Sequence, residues 1–383
     1  MTASTTACGH FAHIDRFYNF ALAFLLFCAT MKVTILYTMG GRSVKLQLLG
    51  YFDKNFGDDV MQLVTVNALP EHEFYVYGEQ REFCLHLRGC PNVHIVETPP
   101  ETDAFVNVIG TGFKYDSKKT LALKALTFFR EKSFGNKKSA VIDCSMDPPK
   151  NALQKFFIKR ELNKYALLSC RDALSEQWIK TLAPKKHTVR HTDIVFAADR
   201  QLLYPNTGEA CLGIVPVQRA GSADNFSYYK ALAEAADDYS RRYGKKVLLF
   251  ALDTGYENDL LAAMSVKKLM QNAEQAEIIA YDADPSLIFR HMARCAVLVS
   301  SRFHGVIAGL LSGIPTATIS DTGKIDLLAG ELGFARIDKQ GVSGKAVIDL
   351  VNRTKASTPL SLSDEWIADA GKHLAELKAY LAN

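Results

Sequence analysis

"VLVSSRFHGVIAGLLSGIP", residues 297–315, joins a β-branched apolar run to a small-residue apolar run through Ser300, Ser301, Arg302, Phe303, His304 and Gly305. The first run reads as a buried strand and the second as a helix starting near His304. Gly305, Gly309 and Gly313 recur every four residues, so they lie close to one helical face and let that helix approach a sheet closely. Strand, tight loop and helix form the repeating unit of a parallel α/β sheet. The free amides at such a helix start favour an anion, and Arg302 adds a planar fork suited to phosphate or carboxylate. His304, beside that positive end, is placed to exchange a proton with whatever anion binds.

Outward from this stretch the same pattern repeats. "VKLQLLG", "EFYVYG", "VHIVE", "AFVNVIGTG", "SAVIDCS" and "ALLSCRD" read as strands, with helices at "DDVMQLVTVNAL", "LQKFFIKRELNKYA" and "ALSEQWIKTLA". After a breaker-rich interval the pattern restarts with "CLGIVPV", "YYKALAEAADDYSRRYG", "KKVLLFALD" and "AEIIAYD". A chain of 383 residues exceeds one ordinary core. The expected fold is therefore α/β, with two Rossmann-like domains facing a cleft in the GT-B manner and a C-terminal amphipathic helix. The boundaries read as an extension outside the fold at 1–38, a first domain at 39–185, a linker at 186–208, a second domain at 209–350 and a helical tail at 351–383. Ser363 is the expected N-cap of the tail helix. Ligands of such sheets sit beyond the carboxyl ends of the strands, so the loops of both halves should face one cleft.

Bulk composition excludes more than it selects. Hydrophobic residues make up 48% and charged residues 22%, an ordinary globular balance, and the net charge is only +4. Between positions 114 and 164, however, 13 Lys or Arg stand against 5 Asp or Glu, with aromatics interleaved. Two readings stay open for this stretch: solvated helix faces, or a basic surface making peripheral contact with an anionic membrane or a lipid-linked substrate. No nucleic-acid recognition motif accompanies it. The eight cysteines show no CxxC pair and no zinc spacing, so neither a metal nor a disulfide framework is expected, and a reducing, cytoplasmic setting fits. "FYNFALAFLLFCAT" near the N-terminus resembles a signal-peptide core, a surface anchor or an upstream extension, and is short for a membrane span.

Five loops are placed to carry chemistry. "GYFDKNFGDD" follows a strand, and its Gly50 and Gly57 permit close backbone approach or positive φ, while Asp58 or Asp59 suits a helix cap. It is neither a dinucleotide fingerprint nor a Walker loop. "VIGTGFKYD" offers the amides of Gly110 and Gly112 together with Lys114. "SCRDALS" ends a strand in Arg171, with Asp172 entering the next helix. The fourth is the opening stretch. "SDTGKIDLL" brings Lys324 to the same rim as Arg302. Glu257 and Asp259 in "ALDTGYENDLLAA" read as helix caps, and the histidines other than His304, His373 among them, as structural or surface residues.

Taken in order, "GYFDKNFGDDVMQ", "DAFVNVIGTGF", "LLSCRDALS", "DTGYENDLLAA", "SSRFHGVIAGLLSGIPTATIS" and "GKIDLLAGELG" resemble the polysaccharide pyruvyl transferase family. The Arg-aromatic-His-Gly element with its Gly-Ile-Pro exit is the most specific part. "VIDCSMDPP" lacks glycines usual there, and "GTG" replaces a more usual Gly-Gly pair. The resemblance implies transfer of the enolpyruvyl unit of phosphoenolpyruvate, as co-substrate, to a sugar hydroxyl during surface polysaccharide or glycan synthesis, with phosphate released and no cofactor. It implies His304 as acid/base, Arg171, Arg302 and Lys324 as ligands of the phosphoenolpyruvate, and Gly50, Gly57, Asp58, Gly110 and Gly112 on the acceptor side. The acceptor would be a sugar or glycan, free or lipid-linked, handled at the inner face of the membrane. A GT-B-type glycosyltransferase with a nucleotide-sugar donor is the competing reading, and a non-catalytic carbohydrate-binding protein a third.

Overall fold

The computed structural model describes residues 43–77, 83–98, 100–113, 137–218, 225–320 and 322–383. The N-terminal extension, Lys114 and the part of the basic segment at 114–136 lie outside them. Residues Val44–Leu381 form one compact unit that contains two fully parallel sheets.

The first sheet has the order β3-β2-β1-β4-β5-β6-β7. Its strands are β1 (Lys45–Gly50), β2 (Glu73–Tyr77), β3 (Val93–Val96), β4 (Ala104–Val108), β5 (Lys138–Cys144), β6 (Leu167–Cys170) and β7 (His187–Arg190). Helices α1 (Phe56–Ala68), α2 (Ala152–Leu162) and α3 (Ala173–Leu182) connect them. The second sheet has the order β10-β9-β8-β11-β12-β13. Its strands are β8 (Cys211–Val215), β9 (Val247–Ala251), β10 (Ala276–Ala280), β11 (Cys295–Ser300), β12 (Thr316–Ser320) and β13 (Arg336–Asp338). Helices α4 (Asn225–Tyr243), α5 (Asp259–Leu269), α6 (Pro285–Met292), α7 (Phe303–Leu311), α8 (Gly323–Leu332) and α9 (Gly344–Ala356) belong to it, and α10 (Asp364–Ala382) follows. Each order reverses direction beside its first strand, which opens a crevice at the carboxyl ends of β1 and β4, and again of β8 and β11.

The central strands form because they are apolar throughout: every residue of β8, β9 and β12 is buried, as a parallel sheet covered on both faces requires. Helices start where the sequence supplies a cap. Asp172 accepts from the Ser175 amide, Asp284 precedes Pro285 at the first turn of α6, and Ser363 caps α10 by accepting from the Trp366 amide.

Several expectations change. Strand β7 falls inside the stretch expected to link the halves, and pairs with β6 as an edge strand. Asp58 and Asp59 do not cap α1; the Asn55 side chain does, accepting from the Gly57 and Asp58 amides. Gly305 and Gly309 do pack helix α7 on its sheet, since a Cβ there would stand 2.5 Å from Ser300 Oγ and 2.4 Å from Leu298 Cδ2. Gly313 has open space and a φ of +64°, so it ends the helix instead of packing it. The tail helix returns to the first half, where Tyr380 Oη accepts the Ser139 amide at 3.0 Å and Asp369 accepts the Thr192 amide at 2.8 Å.

One apolar core runs through both halves. Phe56 at the start of α1 meets Tyr281 and Phe289 of the second half edge-on, with ring centroids 5.7 and 5.5 Å apart. The first loop is also laced to the second half by hydrogen bonds. The Phe56 amide donates to Leu252 O at 2.9 Å, Asn55 Nδ2 to Asp253 Oδ2 at 3.1 Å, and the Tyr256 amide to Asp53 Oδ2 at 2.8 Å.

Candidate active site

Loops at the carboxyl ends of both sheets enclose a cleft of about 1450 Å³. Gly57, Asp58, Gly110, Arg171, Arg302, His304 and Lys324 all line it, whereas Gly50 and Gly112 stand outside its wall. A Cβ at Gly50 would meet Gln62 Nε2 and Val108 O, each at 2.8 Å, so that glycine serves packing.

At the floor, side chains from the two halves meet. Arg171 leaves the end of β6 with a side chain only 4% exposed. Its Nη1 lies 2.6 Å from Asp193 Oδ2, to which it donates, and 3.2 Å from His304 Nε2, and its Cζ stands 4.7 Å from the centroid of the Phe303 ring. Arginine carries donors only, so a neutral His304 would accept this contact at Nε2 with its proton on Nδ1. Asp193 Oδ2 lies 3.5 Å from the same Nε2, ready to face an imidazolium. Burial alone would raise the Asp193 carboxyl. The Arg171 guanidinium, and after it the His304 ring, more than offset that and hold it well below the usual carboxylate range.

Backbone approach fixes the ring. A Cβ on Gly57 would lie 1.7 Å from His304 Nδ1, so the imidazole occupies the space a side chain would need. Beside it, Asp58 Oδ1 accepts the Gly110 amide at 3.2 Å. Burial raises the Asp58 carboxyl above its ordinary value, against the opposing pull of His304, the Gly110 amide and Arg171. Two titratable groups thus share the floor with Arg171.

Arg302 has a different environment. Its Nε and Nη2 grip Asp259 along one edge, at 2.8 and 2.6 Å, and Nη1 donates to Glu257. Glu257 and Asp259, read as helix caps, hold this guanidinium. Asp259 is fully buried and Glu257 is 40% exposed at the cleft. Burial, opposed by Arg302 and reinforced by Asp259 and Glu257, pushes the neighbouring Asp253 carboxyl up to about 6. No side chain caps α7, whose first turn opens on the cleft between Arg302 and His304. Lys324, in the first turn of α8, donates from Nζ to Thr111 Oγ1 at 2.9 Å and so ties the fifth loop to the second.

Sequence reading missed what stands behind this floor. The pairing of β5 with β6 shifts register between Val141 and Cys144, and Asp143 inside that irregularity adopts a φ of +61°. Such irregularities redirect a side chain. Asp143 Oδ1 accepts the Ile194 amide at 3.2 Å and stands 3.1 Å from His373 Nε2, and its Oδ2 lies 3.6 Å from Arg171 Nη1. His373, from α10, is fully buried, with Nε2 also 2.8 Å from Thr192 O and Nδ1 2.5 Å from Ser169 Oγ. With the Ser169 hydroxyl donating to Nδ1, every polar atom of this ring is satisfied. The terminal helix therefore buttresses the Asp143–Arg171–His304 line. Asp193 carried one legible cue, its place before a short turn, where its Oδ1 accepts the Val195 amide.

Among the described residues no group of three or more His, Cys, Asp or Glu side chains is arranged to hold a metal ion, and no helix is long and apolar enough to cross a membrane. The polysaccharide pyruvyl transferase family model matches residues 55–322. No curated protein matches the chain in sequence. Similar solved structures include UDP-GlcNAc 2-epimerase from Methanocaldococcus jannaschii, 11% identical with a TM-score of 0.56, covering 88% of this chain and 99% of its own. The putative UDP-N-acetylglucosamine 2-epimerase from Listeria monocytogenes gives 11%, 0.56, 88% and 97% in the same order. HepE from Anabaena in complex with UDP-glucose gives 13%, 0.54, 88% and 99%. At these identities the likeness is one of fold: two Rossmann-like halves in a GT-B-like arrangement.

Proposed function

Because the chain belongs to the polysaccharide pyruvyl transferase family, we propose that it moves the enolpyruvyl group of phosphoenolpyruvate onto sugar hydroxyls, leaving a pyruvate ketal on a surface polysaccharide or glycan. The observation that carries this reading is the contact of His304 with Arg171 and Asp193 beneath the open first turn of α7. It sets a proton-handling ring beside donors suited to a phosphate and a carboxylate on a three-carbon frame.

The reaction needs a proton at C3 of the enol, which makes C2 electrophilic for a sugar hydroxyl. Protonated His304, stabilised by Asp193, supplies that proton, and a C2–O bond forms as the hydroxyl loses its own. Loss of phosphate from C2 breaks the C–O bond, and a second hydroxyl of the sugar closes the ketal. Two hydroxyl protons are released in all: one replaces the proton delivered to C3, the other leaves with hydrogen phosphate. His304 and the raised carboxyl of Asp58 are the two groups on the floor suited to receive them. Arg171 and Lys324 would hold the donor anions. Arg302, gripped by Asp259, would turn its Nη1 edge from Glu257 to the donor.

Complexes of this fold include UDP-GlcNAc and UDP-glucose, which makes a nucleotide-sugar donor the second reading. A donor and acceptor screen read by phosphate release separates the two. Release from phosphoenolpyruvate that requires a sugar acceptor and vanishes in His304→Ala supports the proposal. Turnover of a nucleotide sugar with phosphoenolpyruvate inert would end it.

A further inference from the structure

The loop between β9 and α5 is fixed in its backbone, yet it holds an aromatic ring out into the cleft. Thr254 donates its amide to Lys54 O at 3.2 Å and its hydroxyl to Tyr281 O at 2.9 Å. The amides of Gly255 and Glu257 both reach Asp253 Oδ1, at 3.1 and 3.3 Å, and Asp53 Oδ2 of the first half accepts the Tyr256 amide. Gly255 lets the loop seat there, since a Cβ at that position would stand 2.1 Å from Asp53 O. On this mount the Tyr256 side chain is 85% exposed, the highest value for a large apolar side chain among the described residues. Packing of the fold does not call for a tyrosine at that position. A ring carried on a rigid backbone loses little freedom when a ligand covers it.

The surroundings of this ring indicate what covers it. Tyr256, Glu257 and Asn258 all line the cleft. Asn258 has a left-handed φ of +50° and does not cap α5 with its side chain, so the wall gains an amide that both donates and accepts. Leu261, 47% exposed, continues the wall from α5, and Leu174, 39% exposed, lines the cleft from the first half. Apolar plates interspersed with such groups suit a sugar ring, whose faces carry C–H bonds and whose edge carries hydroxyls. The cleft, at about 1450 Å³, exceeds the roughly 300–1,000 Å³ of an ordinary small-molecule site, which leaves room for several sugar rings beside a three-carbon donor.

We propose that Tyr256 and Asn258 form a subsite for one sugar residue of an acceptor glycan, whose ring stacks on Tyr256 while Asn258 bonds its hydroxyls. This rests on the reading that the cleft takes a glycan acceptor, and not on which donor it takes. Glu257, between the two, donates no group to the subsite but grips Arg302, so three consecutive residues join the acceptor wall to the donor side.

Calorimetric titration of the full chain with neutral pentasaccharides of glucose, galactose, mannose and N-acetylglucosamine, without phosphoenolpyruvate, tests the subsite apart from the donor. At least one of them should bind. Tyr256→Ala should weaken that binding about tenfold, and Tyr256→Phe by less than about twofold because the stacking face is kept. Asn258→Gly, which tolerates the left-handed backbone, should weaken it about fivefold through the lost hydrogen bonds. Both Tyr256 variants should melt with the parent chain, because the side chain is exposed. Absence of binding by all four pentasaccharides overturns the proposal, and so does binding that Tyr256→Ala leaves unchanged. Loss of UMP binding in Tyr256→Ala, with pentasaccharide binding intact, also overturns it and makes the ring a platform for a nucleobase. Pentasaccharide binding that depends on Tyr256 in a chain inert toward phosphoenolpyruvate would support the subsite while ending the donor reading.

Discussion

The His304 ring sits against the α-carbon of Gly57, in the space that a β-carbon at position 57 would occupy. This contact joins the start of α1 to the start of α7, and the two halves meet through it at the His304 ring. Gly57→Ala should therefore displace the imidazole and lower kcat by about a hundredfold, the scale of loss when a catalytic group moves by an ångström. Thermal melting should shift by only a few degrees, since the ring borders an open cleft. Steady-state phosphate release together with a melting curve checks both halves of the expectation.

Asp193 serves Arg171 and His304 at once, so Asp193→Asn should act on both. Loss of the imidazolium partner is expected to lower kcat by about 10²- to 10⁴-fold. Loss of the nearest buried partner of Arg171 should destabilise the protein by roughly 1–3 kcal/mol, because a close charge-assisted bond is lost while Asp143 remains 3.6 Å from the same nitrogen. Urea unfolding measures the second effect. An unchanged kcat in folded variant would remove Asp193 from the proton-handling group.

Glu257 competes for the one nitrogen of Arg302 that Asp259 does not hold. Glu257→Gln should free that edge for an anionic donor and lower the KM for phosphoenolpyruvate by about fivefold, the scale of one partly exposed charge. Asp259→Asn should do the opposite and unsettle α5, since Asp259 also accepts the Asp253 amide at 3.1 Å. The ratio of the two KM values is the readout.

Stability should respond to pH in a way traceable to Asp253. Its folded-state pKa of about 6 lies above the ordinary carboxylate value of the unfolded chain, so the folded state binds more protons in that interval. The contribution is present below the ordinary value and is lost as pH rises toward and through 6. Asp193 has the opposite sign: its contribution is present above the ordinary value and is lost as pH falls into strongly acid conditions. Denaturant midpoints across pH 4 to 7 should fall less steeply with rising pH in Asp253→Asn than in the parent chain; equal slopes would remove Asp253 as the cause.

The alternation of strands and helices was legible because buried parallel strands read as apolar runs. Strand β7, "HTVR", was not, since an edge strand needs no such run, and three-residue β13 offers too little pattern. At the site, Arg171 and His304 were each legible as polar residues closing a strand, 133 positions apart. Their contact with Asp193 was not, because nothing local couples a breaker-rich loop to a helix start a hundred residues on. Arg302 shows the converse limit. A fork at a helix start promises an anion site, but only the three-dimensional arrangement reveals that a carboxylate 43 residues away already holds one edge of it. Asp143 depends on a register shift between two strands, which no single strand's sequence displays.

Helix α10 lies against the first sheet, yet it is translated only after every strand of the second. Until it emerges, Ser169, Asp143 and the Ser139 amide lack the partners it supplies, so the first half can assemble its sheet early without sealing it. A first half that folds as the chain is made would therefore gain these partners only once α10 has emerged. On that order the backing of the Arg171 pocket would be completed after the half that carries His304.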